Sequence, residues 1–179
     1  MKTTTTVKVR DLKTYIRDIP DFPKKGIIFK DITTLLNNAA AFKKVIDVLA
    51  KRFRKENIDY VVAVESRGFI FGAALAYKLG AGFVPVRKKG KLPYLTRSVT
   101  YELEYGTDTL EMHQDAVLAN SKVLIVDDLL ATGGTIKATI DLIRDFNAKV
   151  AGVVFLIELT FLKGKKKLVG VPVYSIIKY

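Results

Sequence analysis

The chain has 179 residues, of which 49% are hydrophobic and 27% are charged, and its formal net charge is +12. This composition excludes a disordered chain, and the length predicts one domain, residues 1–179, with room for a buried core. Because the chain contains no cysteine, disulfides, thiolate metal sites and cysteine nucleophiles are excluded.

Signal peptides and membrane spans need continuous apolar segments. The N-terminal segment is MKTTTTVKVRDLKTYIRDI, which has no such segment. The most apolar region is interrupted by Glu65, Arg67 and Lys78, so no run approaches the length that spans a membrane. The sequence therefore predicts a soluble, cytoplasmic protein with no membrane partner.

Apolar spacing predicts alternating helices and strands. In chain order, the predicted elements are a helix at 7–19, a helix at 40–56, a strand at 60–64, a helix at 69–79, strands at 82–86 and 123–126, a helix at 135–146, and strands at 150–157 and 171–177. The strands are short apolar runs rich in branched residues, which is typical of buried strands. Their alternation with helices predicts an α/β fold, a parallel sheet with helices on both faces.

Residues 97–112 fit this alternation poorly. Their sequence is RSVTYELEYGTDTLEM, which alternates but is polar on both sides. Both a hairpin and a mobile flap are consistent with the pattern.

Chemically suggestive residues follow three of the predicted strands, at 65–68, 87–91 and 127–135. Ligands of open parallel sheets bind outside the carboxyl ends of the strands, in the crevice that the loops form. The three segments therefore predict one binding site at this edge of the sheet.

The last of these segments combines two acids with a loop suited to an anion. Asp127 and Asp128 follow the strand, and Ala-Thr-Gly-Gly-Thr at 131–135 leads into a helix that begins near Thr135. A helix start has unpaired N–H groups and a partial positive charge, and glycine allows close approach of the backbone. The alternative is that Thr132 or Thr135 merely caps the helix.

The acidic pair separates this segment from a plain cap. Carboxylates repel a phosphate at contact, but they accept hydrogen bonds from vicinal hydroxyls and attract Mg²⁺ bound to the same ligand. A ribose 5-phosphate has hydroxyls at one end and a phosphate at the other. The segment therefore predicts such a ligand.

The net charge of +12 also raises the possibility of nucleic-acid binding. Most lysines are scattered, and those at 163–167 surround a glycine in a predicted turn, so the pattern favours a solvated surface over a basic stripe. The cluster at 87–91 is compact and suited to a small polyanion. We therefore expect no nucleic-acid partner.

Residues 123–135 resemble the phosphoribosyl pyrophosphate (PRPP) motif of the type I phosphoribosyltransferases, in which apolar residues precede two acids and a Thr-Gly-Gly-Thr turn. The resemblance implies that Asp127 and Asp128 hold the ribose hydroxyls. It also implies a Mg²⁺ ion held mainly through the substrate, with both aspartates nearby. The implied 5-phosphate cradle comprises Ala131, Thr132, Gly133, Gly134 and Thr135.

Three further segments are similar to the adenine phosphoribosyltransferase family: IPDFPKKGIIFKDITTLL at 19–36, ESRGF at 65–69 and YELEYG at 101–106, together with RKKGKLP at 87–93. This resemblance implies purine salvage, in which adenine and PRPP yield AMP and pyrophosphate. It also implies a base-binding segment at about 1–36 and a flexible flap at about 97–112. Two alternatives remain open: transfer to hypoxanthine, guanine or xanthine, and a nucleic-acid-binding regulator with the same fold.

The family resemblance also implies roles for single residues. The proton of the base would pass to Glu104, with Glu102 as the alternative, and Tyr105 would cover the site. Adenine would lie between Phe29 and Leu129, with Ile28 and Lys30 reading its polar edge through their backbone groups, while simple core packing is the alternative for Phe29.

Departure of pyrophosphate needs cations around the leaving group and a dry site. The implied pyrophosphate-binding residues are Ser66, Arg67, Arg87, Lys88 and Lys91. An ordinary salt bridge, with Glu65 as the nearest acid in sequence, is the alternative for Arg67, which is also an implied catalytic residue. The resemblance further implies a cis peptide between Glu65 and Ser66, and a homodimer in which Arg87 reaches the neighbouring subunit's site.

Overall fold

The computed structural model describes residues 7–102 and 106–179. The described residues up to Val48 form one compact unit, and Leu49–Tyr179 form a second. The single domain at 1–179 stays a prediction.

The first unit is built around a small antiparallel sheet. Its elements are a 3-10 helix at Val9–Tyr15, strand β1 at Arg17–Pro20, strand β2 at Ile28–Asp31, the short helix α1 at Thr33–Leu36, and the start of helix α2 at Ala39–Phe53. The side chains of Arg17 and Asp31, which are paired in register, form an ion pair of 2.7 Å across the two strands.

The predicted helix at 7–19 is therefore wrong in its second half, and strands β1 and β2 had not been predicted. The helix ends at Tyr15, and the chain then pairs as a strand. Ile16 already has extended backbone angles, and the pairing of Arg17–Pro20 with Ile28–Asp31 overrides the local helical spacing.

The second unit contains the predicted alternation. After the end of α2 its elements are β3 at Tyr60–Val64, α3 at Arg67–Leu79, β4 at Gly82–Lys88, β5 at Thr96–Glu102, β6 at Thr107–His113, β7 at Lys122–Leu130, α4 at Gly134–Arg144, β8 at Lys149–Glu158, 3-10 helices at Thr160–Leu162 and Gly164–Lys167, and β9 at Val173–Lys178. The predicted helices at 40–56, 69–79 and 135–146 and the five predicted strands are confirmed. Among the described residues, no helix is long and apolar enough to cross a membrane.

Seven strands form one sheet in the order β5-β6-β4-β3-β7-β8-β9. The five strands from β4 to β9 in this order run parallel, as predicted. Strands β5 and β6 form an antiparallel hairpin at the β4 edge. The hairpin expected within 97–112 is thus confirmed, and the mobility of a flap stays a prediction because residues 103–105 lie outside the described part.

Helices cover both faces of this sheet. Val62 and Val64 point to one face and belong to a buried cluster with Ile140 of α4. Ala63 points to the opposite face, where it meets α3 so closely that a Cβ added at Gly72 would lie 2.5 Å from the Cβ of Ala63. The predicted α/β fold with helices on both faces is confirmed.

The close contact between α3 and β3 gives a stability prediction. We expect Gly72→Ala to lower the free energy of unfolding by about 1–3 kcal/mol, because the new methyl group overfills a packed core. Urea unfolding followed by circular dichroism measures the change.

Gly134→Ala is the matched control, because this glycine also lies in a helix but a Cβ there would have no neighbour closer than 3.6 Å among the described residues. Its change should stay within about 0.5 kcal/mol. Equal effects of the two substitutions would contradict the steric explanation.

Candidate active site

Three segments of the second unit meet at the carboxyl ends of the neighbouring strands β4, β3 and β7. Strand β7 is longer than predicted. It continues to Leu130, because residues 127–130 still pair with β8. Asp127 and Asp128 therefore lie within the last part of the strand and not after it, which corrects the predicted end at residue 126.

The acidic pair is held by contacts within the second unit. The N–H of Asp128 donates to Oδ1 of Asp127 at 2.8 Å. Nη2 of Arg67 lies 2.8 Å from Oδ2 of Asp128, whose side chain is only 7% exposed. This contact is an ion pair without hydrogen-bond alignment, because the buried Oδ2 has no well-oriented donor among the described residues. Arg67 thus binds Asp128, whereas Glu65 is bound by other cations.

Burial sets the protonation behaviour of the pair. It raises the pKa of Asp127 well above the ordinary value, and the neighbouring charge of Asp128 raises this pKa further. Burial also raises the pKa of Asp128, although Arg67 opposes the shift. Ionising both carboxyl groups therefore costs free energy in the unliganded protein.

The loop after β7 has the geometry of an anion site. Gly133 precedes α4 in the left-handed conformation, with φ of 81°. The loop lines a cavity of about 80 Å³. Because α4 begins at Gly134, the unpaired N–H groups of its first turn lie in this loop. The residues around the cavity are Asp127, Leu129, Leu130, Ala131, Thr132, Gly133, Gly134, Thr135 and Ile136.

Two residues that were not predicted for the site contact this loop. Gly164 packs beneath it, since a Cβ at Gly164 would lie 2.1 Å from the carbonyl oxygen of Ala131 and one at Gly133 would lie 2.5 Å from that of Gly164. The hydroxyl of Tyr101 lies 3.2 Å from Oγ1 of Thr135. Tyr101 fell within the YELEYG segment, but Gly164 is distant in sequence and carries no local signal.

The predicted cationic cluster is bound to buried acids. Glu65, with its side chain 7% exposed, accepts hydrogen bonds from Nε of Arg87 at 2.9 Å and from Nζ of Lys91 at 2.7 Å. Burial opposes ionisation of Glu65, but these two bonds lower its pKa overall. Lys88 forms an ion pair of 3.1 Å with Asp108, and this contact raises the pKa of Lys88.

The residues that start α3 complete this edge. The peptide between Glu65 and Ser66 is cis, as predicted, and Ser66 precedes the helix that begins at Arg67. A Cβ at Gly68 would lie 2.9 Å from Oδ1 of Asp127. The structure therefore brings Arg67 and Gly68 against the acidic pair, and Ser66 directly precedes them in the chain.

The predicted base-binding residues belong to different units. Ile28 is 54% exposed, and the ring of Phe29 meets that of Phe22 edge-on at 5.2 Å. The ammonium group of Lys30 contacts Asp18 at 2.7 Å. Ile28, Phe29 and Lys30 lie in the first unit and Leu129 lies in the second, so the adenine sandwich stays a prediction.

Glu104 and Tyr105 lie outside the described residues. Glu102, the alternative proton acceptor, is the last described residue of β5 and is exposed. The choice between Glu104 and Glu102 stays a prediction.

The acidic side chains of the site suit a metal ion that is held mainly by a bound phosphate compound and only partly by the protein. Across residues 7–102 and 106–179 there is no group of three or more histidine, aspartate or glutamate side chains placed to hold a metal ion. The adjacent carboxylates of Asp127 and Asp128 nevertheless provide hard oxygen donors of the kind that Mg²⁺ prefers. This arrangement fits an ion whose other ligands come from a phosphate compound.

Comparisons with known proteins agree on one family. The family model described as a phosphoribosyl transferase domain matches residues 31–171. The adenine phosphoribosyltransferase of Trichlorobacter lovleyi is 58% identical over 171 residues, which cover 96% of this chain and 100% of the relative.

Solved structures show the same likeness. The crystal structure of adenine phosphoribosyltransferase from Thermoanaerobacter pseudethanolicus has a TM-score of 0.93 and 57% identity, covering 96% of this chain and 100% of the other. The Saccharomyces cerevisiae enzyme, crystallised with an iminoaltritol bisphosphate and adenine, has a TM-score of 0.89 and 44% identity, covering 94% of this chain and 97% of the other.

The strained acidic pair gives a prediction about pH. We expect Asp127→Asn to raise the free energy of unfolding of the unliganded protein at pH 7.5, because it removes a buried charge beside Asp128. An acid whose pKa is higher in the folded state than in the unfolded state destabilises the folded protein above that pKa. As the pH falls, Asp127 takes up a proton in the folded protein and this destabilisation is lost. The advantage of the variant should therefore shrink between pH 7.5 and pH 4.5.

Thermal unfolding across this pH range measures the effect. Asp128→Asn is the comparison, because it also removes a charge but removes with it the attraction between Asp128 and Arg67, so it should stabilise less. A stabilisation by Asp127→Asn that does not change with pH, or none at pH 7.5, would contradict the explanation.

Proposed function

This chain belongs to the adenine phosphoribosyltransferases, and we infer from that membership that it is a purine salvage enzyme forming AMP and pyrophosphate from adenine and PRPP. The observation that carries this function is the end of β7, where the acidic pair leads directly into the anion-binding loop. This segment lies inside the matched domain, and relatives at about 58% identity match the chain over nearly its full length.

We propose that Asp127 and Asp128 accept hydrogen bonds from the ribose hydroxyls. The buried Oδ2 of Asp128 has no aligned donor among the described residues, and a hydroxyl would supply one. Hydroxyl donors would also stabilise the ionised carboxylates that burial disfavours. The acidic pair thus favours a ligand with vicinal hydroxyls over a simple phosphate.

The 5-phosphate is proposed to bind in the loop at 131–135. Backbone N–H groups at the start of α4 would donate to it, and the positive end of the helix would attract its charge. The hydroxyls of Thr132 and Thr135 add two donors. The left-handed Gly133 lets the backbone curve around the cavity.

Pyrophosphate is proposed to leave against the cationic cluster. Negative charge grows on the leaving group as the bond to the anomeric carbon breaks, so fixed cations lower the barrier. Ser66, Arg67, Arg87, Lys88 and Lys91 would supply the donors and the charge. Glu65 holds Arg87 and Lys91 in position before the substrate arrives, which lowers the cost of ordering these side chains.

Magnesium is proposed to enter with the substrate, near Asp127 and Asp128. When bound, Mg²⁺ would neutralise part of the pyrophosphate charge. The chain's own contribution is the pair of carboxylates that orients the metal-bearing ligand.

Adenine is proposed to stack between Phe29 and Leu129, with backbone groups of Ile28 and Lys30 reading its edge. The yeast relative crystallised with adenine supports a site for this base in the family.

Glu104 is proposed to take the proton from the attacking base, and Tyr105 to cover the reacting atoms.

A homodimer is proposed as the working assembly, with Arg87 reaching the partner's site. Exposed apolar side chains on α3 and β4 support this proposal, since Tyr77 is 90% exposed and Ile70 and Phe83 are also exposed. A second copy of the chain would cover such a surface.

The base specificity gives the first functional prediction. With PRPP and Mg²⁺, we expect AMP formation from adenine and at least about 100-fold lower kcat/KM for hypoxanthine, guanine and xanthine, because a site built to hydrogen-bond one base leaves polar groups unpaired with another. A spectrophotometric assay measures each base in turn. Turnover with another purine alone would overturn the acceptor assignment and keep the PRPP site.

The proton acceptor gives the second functional prediction. We expect Glu104→Ala to reduce kcat by about 10²–10⁴-fold, the usual contribution of a positioned general base. Steady-state kinetics and a thermal unfolding curve measure turnover and folding separately.

Glu102→Ala is the matched control, since it removes an acid two positions earlier in the sequence. This variant should retain kcat within a few-fold. Unchanged turnover in Glu104→Ala with a large loss in Glu102→Ala would transfer the role to Glu102.

A further inference from the structure

The 3-10 helix at Gly164–Lys167 and the residue before it form a compact basic surface. Gly164 is buried, whereas Lys163, Lys165, Lys166 and Lys167 are exposed. We call these residues the lysine turn. Within the described part of the chain, none of its four ammonium groups forms an ion pair with an acid.

The lysine turn is fixed against the anion-binding loop. A Cβ at Gly164 would lie 2.1 Å from the oxygen of Ala131 and 3.0 Å from the nitrogen of Gly133, so the two backbones are in direct contact. Consecutive Cα atoms are about 3.8 Å apart, which places the four lysine backbones within about 4–11 Å of Gly164 along the chain. The turn thus borders the proposed 5-phosphate site.

The cations of the other basic cluster are held by acids that offset part of their charge in the unliganded protein. Glu65 binds Arg87 and Lys91, and Asp108 binds Lys88. Asp127 and Asp128 add negative charge at the same edge of the sheet. The lysine turn therefore adds four positive charges beside the phosphate loop that no acid of the described residues pairs, and these charges attract anions at a distance.

We propose that the lysine turn is an electrostatic capture surface for PRPP, which speeds the encounter of this polyanion with the loop at 131–135. The proposal rests on the proposed function, since it deepens the same site. Its charges act at a distance and make no required contact in the reaction. The turn should therefore raise the association rate of PRPP and leave the rate of the chemical step unchanged.

Adenine provides an internal control because it is uncharged at neutral pH. The test compares wild type with the triple substitution Lys165→Gln, Lys166→Gln and Lys167→Gln. The control variant carries Lys51→Gln, Lys55→Gln and Lys149→Gln. Lys149 opens β8, at the opposite end of the parallel strands, and Lys51 and Lys55 precede β3. Both variants lose three positive charges and keep Gly164.

The measurements are the association rate of PRPP by stopped flow and kcat/KM for each substrate, at about 20 mM and about 300 mM salt. We expect the turn variant to bind PRPP about three- to tenfold more slowly at low salt. At high salt the difference should fall to about twofold or less, because the Debye length shortens. The kcat, the kcat/KM for adenine and the control variant should match wild type.

Equal PRPP association rates in the turn variant and the control variant would overturn the proposal. A fall in kcat of the turn variant as large as its fall in PRPP association rate would also overturn it, because that result would indicate distortion of the loop. Loss of binding to an RNA oligonucleotide with unchanged PRPP association would identify a nucleic-acid surface instead. Wild-type turnover with adenine tests the proposed function separately, because PRPP association is measured without the base.

Discussion

The site depends on two adjacent carboxylates placed in the buried end of a strand. Burial and mutual repulsion both disfavour their ionised forms. Arg67 offsets part of this cost through its contact with Asp128, and the N–H of Asp128 supports Asp127. One oxygen of Asp128 still has no aligned donor among the described residues. The unliganded site thus retains a capacity for hydrogen bonding that a hydroxyl-bearing ligand satisfies.

The acidic pair explains how the positive charges are distributed. A substrate with several phosphate charges must approach an edge that already contains Asp127 and Asp128. Glu65 and Asp108 orient the cations proposed for the leaving group, and they also offset part of the positive charge of those cations. Long-range attraction therefore requires a separate set of charges. The lysine turn meets this requirement, since its residues have no such counter-charge in the described part of the chain.

The spacing of apolar residues was sufficient to predict the helices and strands whose faces are buried in the second unit. The helices α3 and α4 and the five parallel strands follow from apolar periodicity, and the binding edge follows from where those strands end. The helix expected at 7–19 was wrong in its second half because residues 17–20 pair with a strand at 28–31, and local apolar spacing carries no information about that partner. The end of β7 was placed too early because pairing with β8 continues through polar residues. A strand's backbone bonds do not depend on its side chains, so hydropathy does not mark where pairing stops.

Contacts between distant segments carried no such signal. Gly164 lies about thirty positions after the loop that it supports, and only the folded backbone brings its Cα against Ala131 and Gly133. The same limit led the lysines around it to be interpreted as a solvated surface. A charge run has no function that sequence alone assigns, because its effect depends on what it borders. Here the lysine turn borders a proposed phosphate site. Adenine is uncharged, so these lysines do not attract it at a distance. The stacking and backbone hydrogen bonds proposed for adenine act only at contact, so the two substrates place different physical demands on the chain.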